Sequence, residues 1–464
     1  MFQSCGHARP LVESERDMAT RFPPHPPETG RFVKRMIRAA VCLIGLLLAH
    51  VAAAAALDPL LMNPALWSMK RDDFESAAKG LGFRWVSQAR DSARTTAPEL
   101  TVFGLRAVEG IARFDGDTLK EITVAIYARG DAGSLTKEAY GALVKNAVEA
   151  LNRATSAKFS IRGRDPTNAV KADGLVWDTP QARHLLEYSA TREVKSRDIA
   201  FRAEFVRLEL TPPPTKAAAL PSATLTTQGR PRFNGPQHVK KDAPTGDVVI
   251  TGVPMVDQGQ KGYCVVATTE RVMRYYGAQV DANELAQIAN SDADGGTSYH
   301  AMFSALKKVS TRLKVRIRQI TESNVRTIQD LRDDYNRVAK KDGASAVPEP
   351  GRSIDITAIY GQMQLSTLKE TRMKNRAEFG RFQREVQQHI DQGIPLLWCV
   401  QLGIVSEPGI PQHAGGHMRL IIGYNVKSNE LIFSDSWGAG HEQKRMAMDD
   451  GWTVTTGLAA IEPL

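Results

Sequence analysis

Cysteine is the scarcest chemistry in this sequence, with four residues, Cys5, Cys42, Cys264 and Cys399, in a chain of 464. Cys5 and Cys42 fall in or before a segment read below as an export signal, which leaves two in the mature chain. Exported proteins that rely on disulfides usually carry more cysteines, in even sets at framework spacings; these two could still pair, but pairing would consume Cys264, so Cys264 and Cys399 are read as free thiols. There is no zinc-finger spacing, no aromatic RNA-binding signature and no long basic run. The formal charge of +9 is spread along the chain, apart from a share at Arg31, Lys34, Arg35 and Arg38. A nucleic-acid partner is therefore not expected. His300 and His441 lack partners at metal-ligand spacing, so neither a metal nor a cofactor is expected.

Long apolar runs are missing as well, apart from Ala39–Ala49. That run follows the basic residues of RFVKRMIRAA and is followed by small residues ending at Ala54-Ala55-Ala56, the layout of an export signal over residues 31–56. His50 and the alanine tail keep it well short of the ~20 apolar residues of a spanning helix. A cleaved signal and a secreted or periplasmic chain are expected, with no stable membrane insertion afterwards. Cys42 sits at the front of the run, which argues against a lipoprotein anchor. Met36 and Met1 both stand as candidate starts, with residues 1–56 as extension plus signal.

The length calls for more than one domain. Residues 57–210 read as a smaller α+β block. It has a helix over Trp67–Lys79 closed by Gly80 and a strand at Phe83–Ser87. A hairpin turns at Asp115-Gly116-Asp117, a helix spans Thr136–Ala154, and a second hairpin joins Arg183–Thr191 to Ile199–Leu210. No catalytic spacing stands out there. Residues 211–246, rich in Pro, Ala and Thr, read as a linker. Residues 247–464 form a second block in which helices come first (Cys264–Tyr276, Val280–Ala289, Ser298–Val309, Asn324–Lys341, Ala377–Gln392) and short strands follow (Ile394–Leu402, His417–Tyr424, Glu430–Ser434). Helices then sheet is an α+β order.

The chemistry concentrates in VPMVDQGQKGYCVVATTERVMRYYG, Val253–Gly277. Cys264 would open a helix, where unpaired N–H groups favour the thiolate that attacks carbonyls. Gln258 lies six residues earlier, and Gly259 and Gly262 let the loop fold back, so its amide and the Cys264 N–H would form a two-donor oxyanion hole. The base is sought in QHAGGHMRLIIGYN, with His417 at the strand edge and His413 as its rival. Asp435, in LIFSDSWG on the next strand, would orient that base. Cys399, inside PLLWCV, and Trp398 read as core.

PMVDQGQKGYC resembles the papain-like cysteine peptidase pattern Pro-x-x-[Asn/Asp]-Gln-Gly-x-x-Gly-x-Cys, with every marked position filled. HMRLIIGY resembles that family's histidine strand, and SDSWG its Asn-Ser-Trp-Gly signature with aspartate in place of asparagine. The resemblance implies a papain-like fold for residues 247–464 and a working set of Gln258, Cys264, His417 and Asp435. It also implies Trp437 shielding the His–Asp contact, and Gly262 and Tyr263 on the substrate side. Val265 stands where papain has tryptophan, and Lys261 replaces a disulfide cysteine. The aspartate orienter, the missing disulfide and the ELAQIA and GGTSYHAMFSALKKV helices resemble bacterial members, including the domains that process bacteriocin leaders, although no transporter segments accompany them.

The expected activity is that of an exported thiol endopeptidase on a protein or peptide substrate. Three alternatives remain open at this point: an acyltransferase or transglutaminase-like enzyme, a cell-wall amide hydrolase, and a non-enzymatic peptide-binding module. The first block is either an inhibitory pro-domain or a docking domain.

Overall fold

The computed structural model describes residues 55–162, 169–193, 200–214, 233–259, 262–278, 280–291, 297, 299–349, 354–409 and 413–464. The expected signal lies outside these apart from its last two residues. Ala55–Ala56 (β1) pair in parallel with β4 (Leu100–Val102), so the last two residues of the expected signal belong to the fold. Among the described residues no helix is long and apolar enough to cross a membrane.

The first block is built on an eight-stranded sheet. Its strands are β2 (Arg84–Trp85), β3 (Ser92–Thr95), β6 (Glu109–Asp115), β7 (Thr118–Ala128), β8 (Ser160–Arg162), β9 (Asp173–Asp178), β10 (Arg183–Thr191) and β11 (Arg202–Thr211), in the order β2-β3-β6-β7-β11-β10-β9-β8. β4 (Leu100–Val102) and β5 (Leu105–Arg106) form the small sheet with β1. Both expected hairpins form. The expected helix over Trp67–Lys79 is instead a 3-10 turn (Leu66–Ser68) and a separate helix α1 (Arg71–Ala77). Met69 is extended, and Lys70 N–H donates to the Asp73 carboxylate at 3.2 Å, so a new helix starts there. α2 (Arg129–Ala132) is a single turn after β7, and α3 (Lys137–Thr155) starts under a Thr136 cap. Leu151, Ala147 and Tyr140 of α3 join the core with Trp177, Leu186 and Leu208 of the sheet.

The segment expected as linker is structured in its last part. β12 (Val239–Asp242) forms a hairpin with β13 (Asp247–Ile250) across a turn that uses the positive φ of Gly246. The physical reason is Phe233: its ring packs edge-on at 4.8 Å from both Tyr275 and Tyr276, anchoring the approach to the hairpin on the second block. Residues 215–232 lie outside the described residues.

The second block opens with α4 (Cys264–Tyr275), α5 (Ala282–Ala289) and α6 (Tyr299–Leu313). β14 (Val315–Glu322) follows, then α7 (Val325–Asp342), α8 (Ile356–Gly361), α9 (Leu365–Lys374) and α10 (Arg376–Asp391). β15 (Leu396–Leu402), β16 (Gly415–Asn425), β17 (Glu430–Ser434), β18 (Lys444–Ala447), α11 (Met448–Val454) and β19 (Thr455–Pro463) complete it. The sheet runs β12-β13-β16-β15-β19-β14, with β17 and β18 on the other side of β16. The helices-first order is therefore interrupted: β14, VRIRQITE, alternates polar and apolar residues and pairs with the last strand.

β16 is the axis of this block. It pairs with β15 through Gly415–Ile421 and then with β13 through Gly423–Asn425, while β17 runs antiparallel to it. Gly423 is needed at the change of partner, because a Cβ there would lie 2.5 Å from the Val248 carbonyl oxygen. α4 lies against β16, with Thr268 Oγ1 donating to the Met418 carbonyl at 3.3 Å. The core between them holds Val266, Met273, Leu420, Trp398 and Phe433.

Candidate active site

Cys264 is the first residue of α4 and is fully buried. Its helix ends at Tyr275, and Gly277 supplies the positive φ (75°) that turns the chain away. The loop before it is tied down at several points. Gln258 N–H donates to the Ser436 carbonyl at 2.8 Å. Asp257 Oδ1 accepts from Gly259 N at 2.9 Å. Arg271, one helical face further along α4 and buried, donates to the Pro254 carbonyl (2.8 Å), the Asp435 carbonyl (2.9 Å) and Ser434 Oγ (2.5 Å). The helix that carries the cysteine thus also clasps the backbone around Asp435.

The β16–β17 register brings the other groups in. Leu420 faces Ser434, so one step onward Arg419 comes level with Asp435, and two further steps bring His417 level with Trp437. The contacts follow that arithmetic. His417 Nε2 lies 2.5 Å from Asp435 Oδ1, both buried. The Trp437 ring stacks on the His417 ring, centroids 4.5 Å apart and planes 15° apart. With Nε2 committed to Asp435, the other ring nitrogen is the one available to the Cys264 thiol, which hydrogen-bonds the His417 side chain.

Burial by itself would lower the His417 pKa. The charge on Asp435, the hydrogen bond to it and the contact with Cys264 outweigh burial and raise it to about 9. For Asp435 burial pushes upward, but His417, Arg419 and the Ser436 N–H bring it down to about 2. The site therefore holds an imidazolium–carboxylate pair across the neutral range. Cys399, in contrast, is a buried thiol whose pKa is pushed far up by desolvation, as a core cysteine should be.

Of the residues expected from sequence, Cys264, His417 and Asp435 converge, and Gln258 is buried beside them. The Ser436 hydroxyl donates to Gln258 Oε1 at 2.7 Å, so the Gln258 amide NH₂ is the end turned away from Ser436. Replacing Gln258 by alanine should lower kcat by about 10²–10³ with KM little changed, measured on a fluorogenic peptide. The rival His413 is exposed and precedes β16. Gly262 is half-buried in the loop. Tyr263, expected on the substrate side, is instead buried under the first block, where its hydroxyl occupies the space that a side chain at Gly130 would need.

Three contributors have no counterpart in the sequence reading: Ser436, Arg271 and Arg419. Arg419 had one signal, a guanidinium in the middle of an otherwise apolar strand, MRLII. Ser436 stood in the quoted SDSWG motif without a role, and it serves both Gln258 and, through its N–H at 3.0 Å, Asp435 Oδ1.

The first block borders the site. Arg94 Nη1 lies 3.5 Å from Asp257 Oδ2, and its guanidinium would be 2.7 Å from a Cβ at Gly259. A cavity of roughly 920 Å³ opens between the blocks, lined by Trp85, Arg94 and Asp131 on one side and Asp257, Gly259 and Trp437 on the other.

A helix-borne thiol hydrogen-bonded to a buried imidazolium–carboxylate pair is suited to acyl transfer. No curated protein matches the chain. Among solved structures, xylellain, a cysteine protease from Xylella fastidiosa, is similar over 48% of this chain and 90% of its own, at 11% identity and a TM-score of 0.26, a likeness too slight to carry an argument. The model of the Peptidase_C39 like family matches residues 250–459. That span begins in β13, ends in β19 and takes in Cys264, His417 and Asp435 together, so this part of the chain is similar to the C39-like cysteine peptidases.

Proposed function

We propose that the chain is an exported endopeptidase that cleaves peptide bonds through an acyl-enzyme on Cys264. The observation that carries this reading is the buried His417 Nε2–Asp435 Oδ1 contact of 2.5 Å, on an imidazole that also hydrogen-bonds the Cys264 thiol. In the reaction, the Cys264 thiolate attacks the scissile carbonyl. The oxyanion is received by the Gln258 amide and the Cys264 N–H at the start of α4. The His417 imidazolium gives its proton to the departing amine and, now neutral, takes one from the water that releases the acyl group. Asp435 holds the ring in the required tautomer throughout, and Trp437, stacked on that ring, screens it from water.

Export rests on the sequence of residues 31–56. The first block acts in this reading as a docked wall of the substrate cleft, since its Trp85, Arg94 and Asp131 line the same cavity as Trp437. The substrate is a protein or peptide threaded through that cavity.

The test is labelling of the full chain with an epoxide thiol inhibitor, followed by peptide mapping, alongside hydrolysis of a peptide library with and without an added amine acceptor. Labelling confined to Cys264, with hydrolysis and no transfer to the amine, is expected. Equal labelling of Cys399, or transfer as the main reaction, would overturn the reading. Mass spectrometry of the exported protein, expected to begin within a few residues of Ala55, tests the signal.

A further inference from the structure

β16 is apolar on either side of one residue: Met418, Leu420, Ile421 and Ile422 are buried, and so is Arg419, with no exposed surface at all. A lone guanidinium in such surroundings is costly unless its charge and donors are met. Its charge is met on two sides, and two of its three nitrogens, Nε and Nη1, are hydrogen-bonded. Nε donates to Asp435 Oδ2 at 2.8 Å, and Nη1 donates to both oxygens of Glu407 at 3.0 Å. The plane of the group is held over Phe433, 4.7 Å to the ring centroid, with Trp398 and Trp437 at 5.9 Å. Asp435 therefore divides its oxygens, Oδ1 to His417 and the Ser436 N–H, Oδ2 to Arg419. From Glu407 to Cys264 the groups stand along one line: carboxylate, guanidinium, carboxylate, imidazole, thiol.

We propose that Arg419, braced by Glu407, is a positioning residue of the peptidase that keeps Asp435 ionised and aimed at His417 and so sets the pH window in which the Cys264–His417 pair reacts. Arg419 touches neither the thiol nor the cleft and acts only through Asp435. The inference rests on the function proposed above. The other charged or titratable groups facing this line are Cys264 and Arg271 on α4, Cys399 on β15, and His441, Glu442 and Lys444 after β17. None of them bonds the Asp435 carboxylate oxygens, which leaves Arg419 as its cation on the side away from His417.

The two members of the brace act with opposite sign. Without Arg419, the buried Asp435 loses a cation, protonates at higher pH, and when ionised bears more strongly on His417. Both limbs of the pH profile then move up. Without the Glu407 charge, the whole of Arg419 bears on Asp435, and both limbs move down.

The experiment uses the full chain and two readouts over pH 4–11: kcat/KM on a fluorogenic peptide, and the rate of Cys264 alkylation by iodoacetamide, which needs no substrate. R419M is expected to move both limbs up by about one unit, E407Q to move them down, and R419K to restore the limbs while leaving kcat reduced, because a single ammonium cannot serve Asp435 and Glu407 in the fork geometry of a guanidinium. Folded R419M and E407Q with wild-type limbs, or limbs that move in the same direction in both, overturn the inference. Should R419M fail to fold, E407Q alone decides it, since Glu407 lies on the loop after β15 and a downward shift has no purely structural origin. Should the wild-type Cys264 show no enhanced alkylation at neutral pH, the catalytic reading itself fails, whatever the variants do.

Discussion

Cys264→Ala is expected to abolish peptide hydrolysis, with kcat falling by about 10⁶, the loss seen when the nucleophile of a comparable covalent protease is removed. The fall should be nearly the same in the double variant Cys264→Ala/His417→Ala, because the two side chains act as a unit and their effects do not add. Stability should change little. Cys264 sits in a core with Val265 and Val266, and alanine leaves only the space of one sulfur. Thermal unfolding of the variant within a few degrees of the wild type, together with absent hydrolysis of a fluorogenic peptide, is the expected pair of results. Retained activity would place the nucleophile elsewhere.

Asp435→Asn is expected to shift the alkaline limb of kcat/KM downward from near 9 to below the ordinary histidine value. The sign follows from the balance at His417, where burial lowers the pKa and the Asp435 charge reverses that to about 9. With the charge gone, burial is left as the larger influence. A span of two to three pH units corresponds to roughly 3–4 kcal/mol, so at pH 8 the fall in kcat/KM should reach about 10²–10³. The same substitution removes two linked contributions to stability. The raised His417 pKa contributes stability that is fully present below about 6.5, the unfolded value for histidine, and is lost as pH rises through about 9. The lowered Asp435 pKa contributes stability present above its usual 3.8 and lost as pH falls through about 2. The wild type should therefore exceed the variant most between about pH 4 and 6.5, as read by urea unfolding at a series of pH values. Asparagine, usual at this position in the papain-like pattern, would here face a buried Arg419 left with Glu407 alone.

The groups proposed to do the chemistry were legible because each sits where local rules are strong. A cysteine opening an amphipathic run closed by Gly277 reads as a helix start, and HMRLIIGYN and ELIFS are apolar runs flanked by turn residues. The contact between His417 and Asp435 needed only the assumption that the two strands are neighbours and antiparallel, which they are.

What escaped the sequence reading is long-range. Arg419 finds Glu407 twelve residues back and Asp435 sixteen residues on, and no periodicity reveals that both arrive at one guanidinium. β14 carries a plain period-two pattern, yet its partner is the last strand of the chain, so the local pattern lay between helices with nothing nearby to claim it. The hairpin β12–β13 was hidden by composition, since Pro, Ala and Thr around it read as linker while Phe233 anchors it from outside. The helix over Trp67–Lys79 failed for the opposite reason: apolar spacing continued across Met69-Lys70, where an Asp73 cap begins a new helix.

The contact between the two blocks is dense in charge. Arg207 of β11 pairs with Asp281 and Glu284 as well as with Glu187 of its own block, and Glu284 also accepts from the Ala169 N–H at 3.0 Å. Ser189 reaches Gln287 at 2.9 Å, and the Gln88 N–H reaches Glu442 at 2.7 Å. Covalent continuity is thus only one of the ties between the halves. A protease that severs the backbone between residues 214 and 233 would yield two fragments on a denaturing gel that still elute as one particle, so scission alone is not dismissal, and unmasking the cleft would require that these ions be parted too.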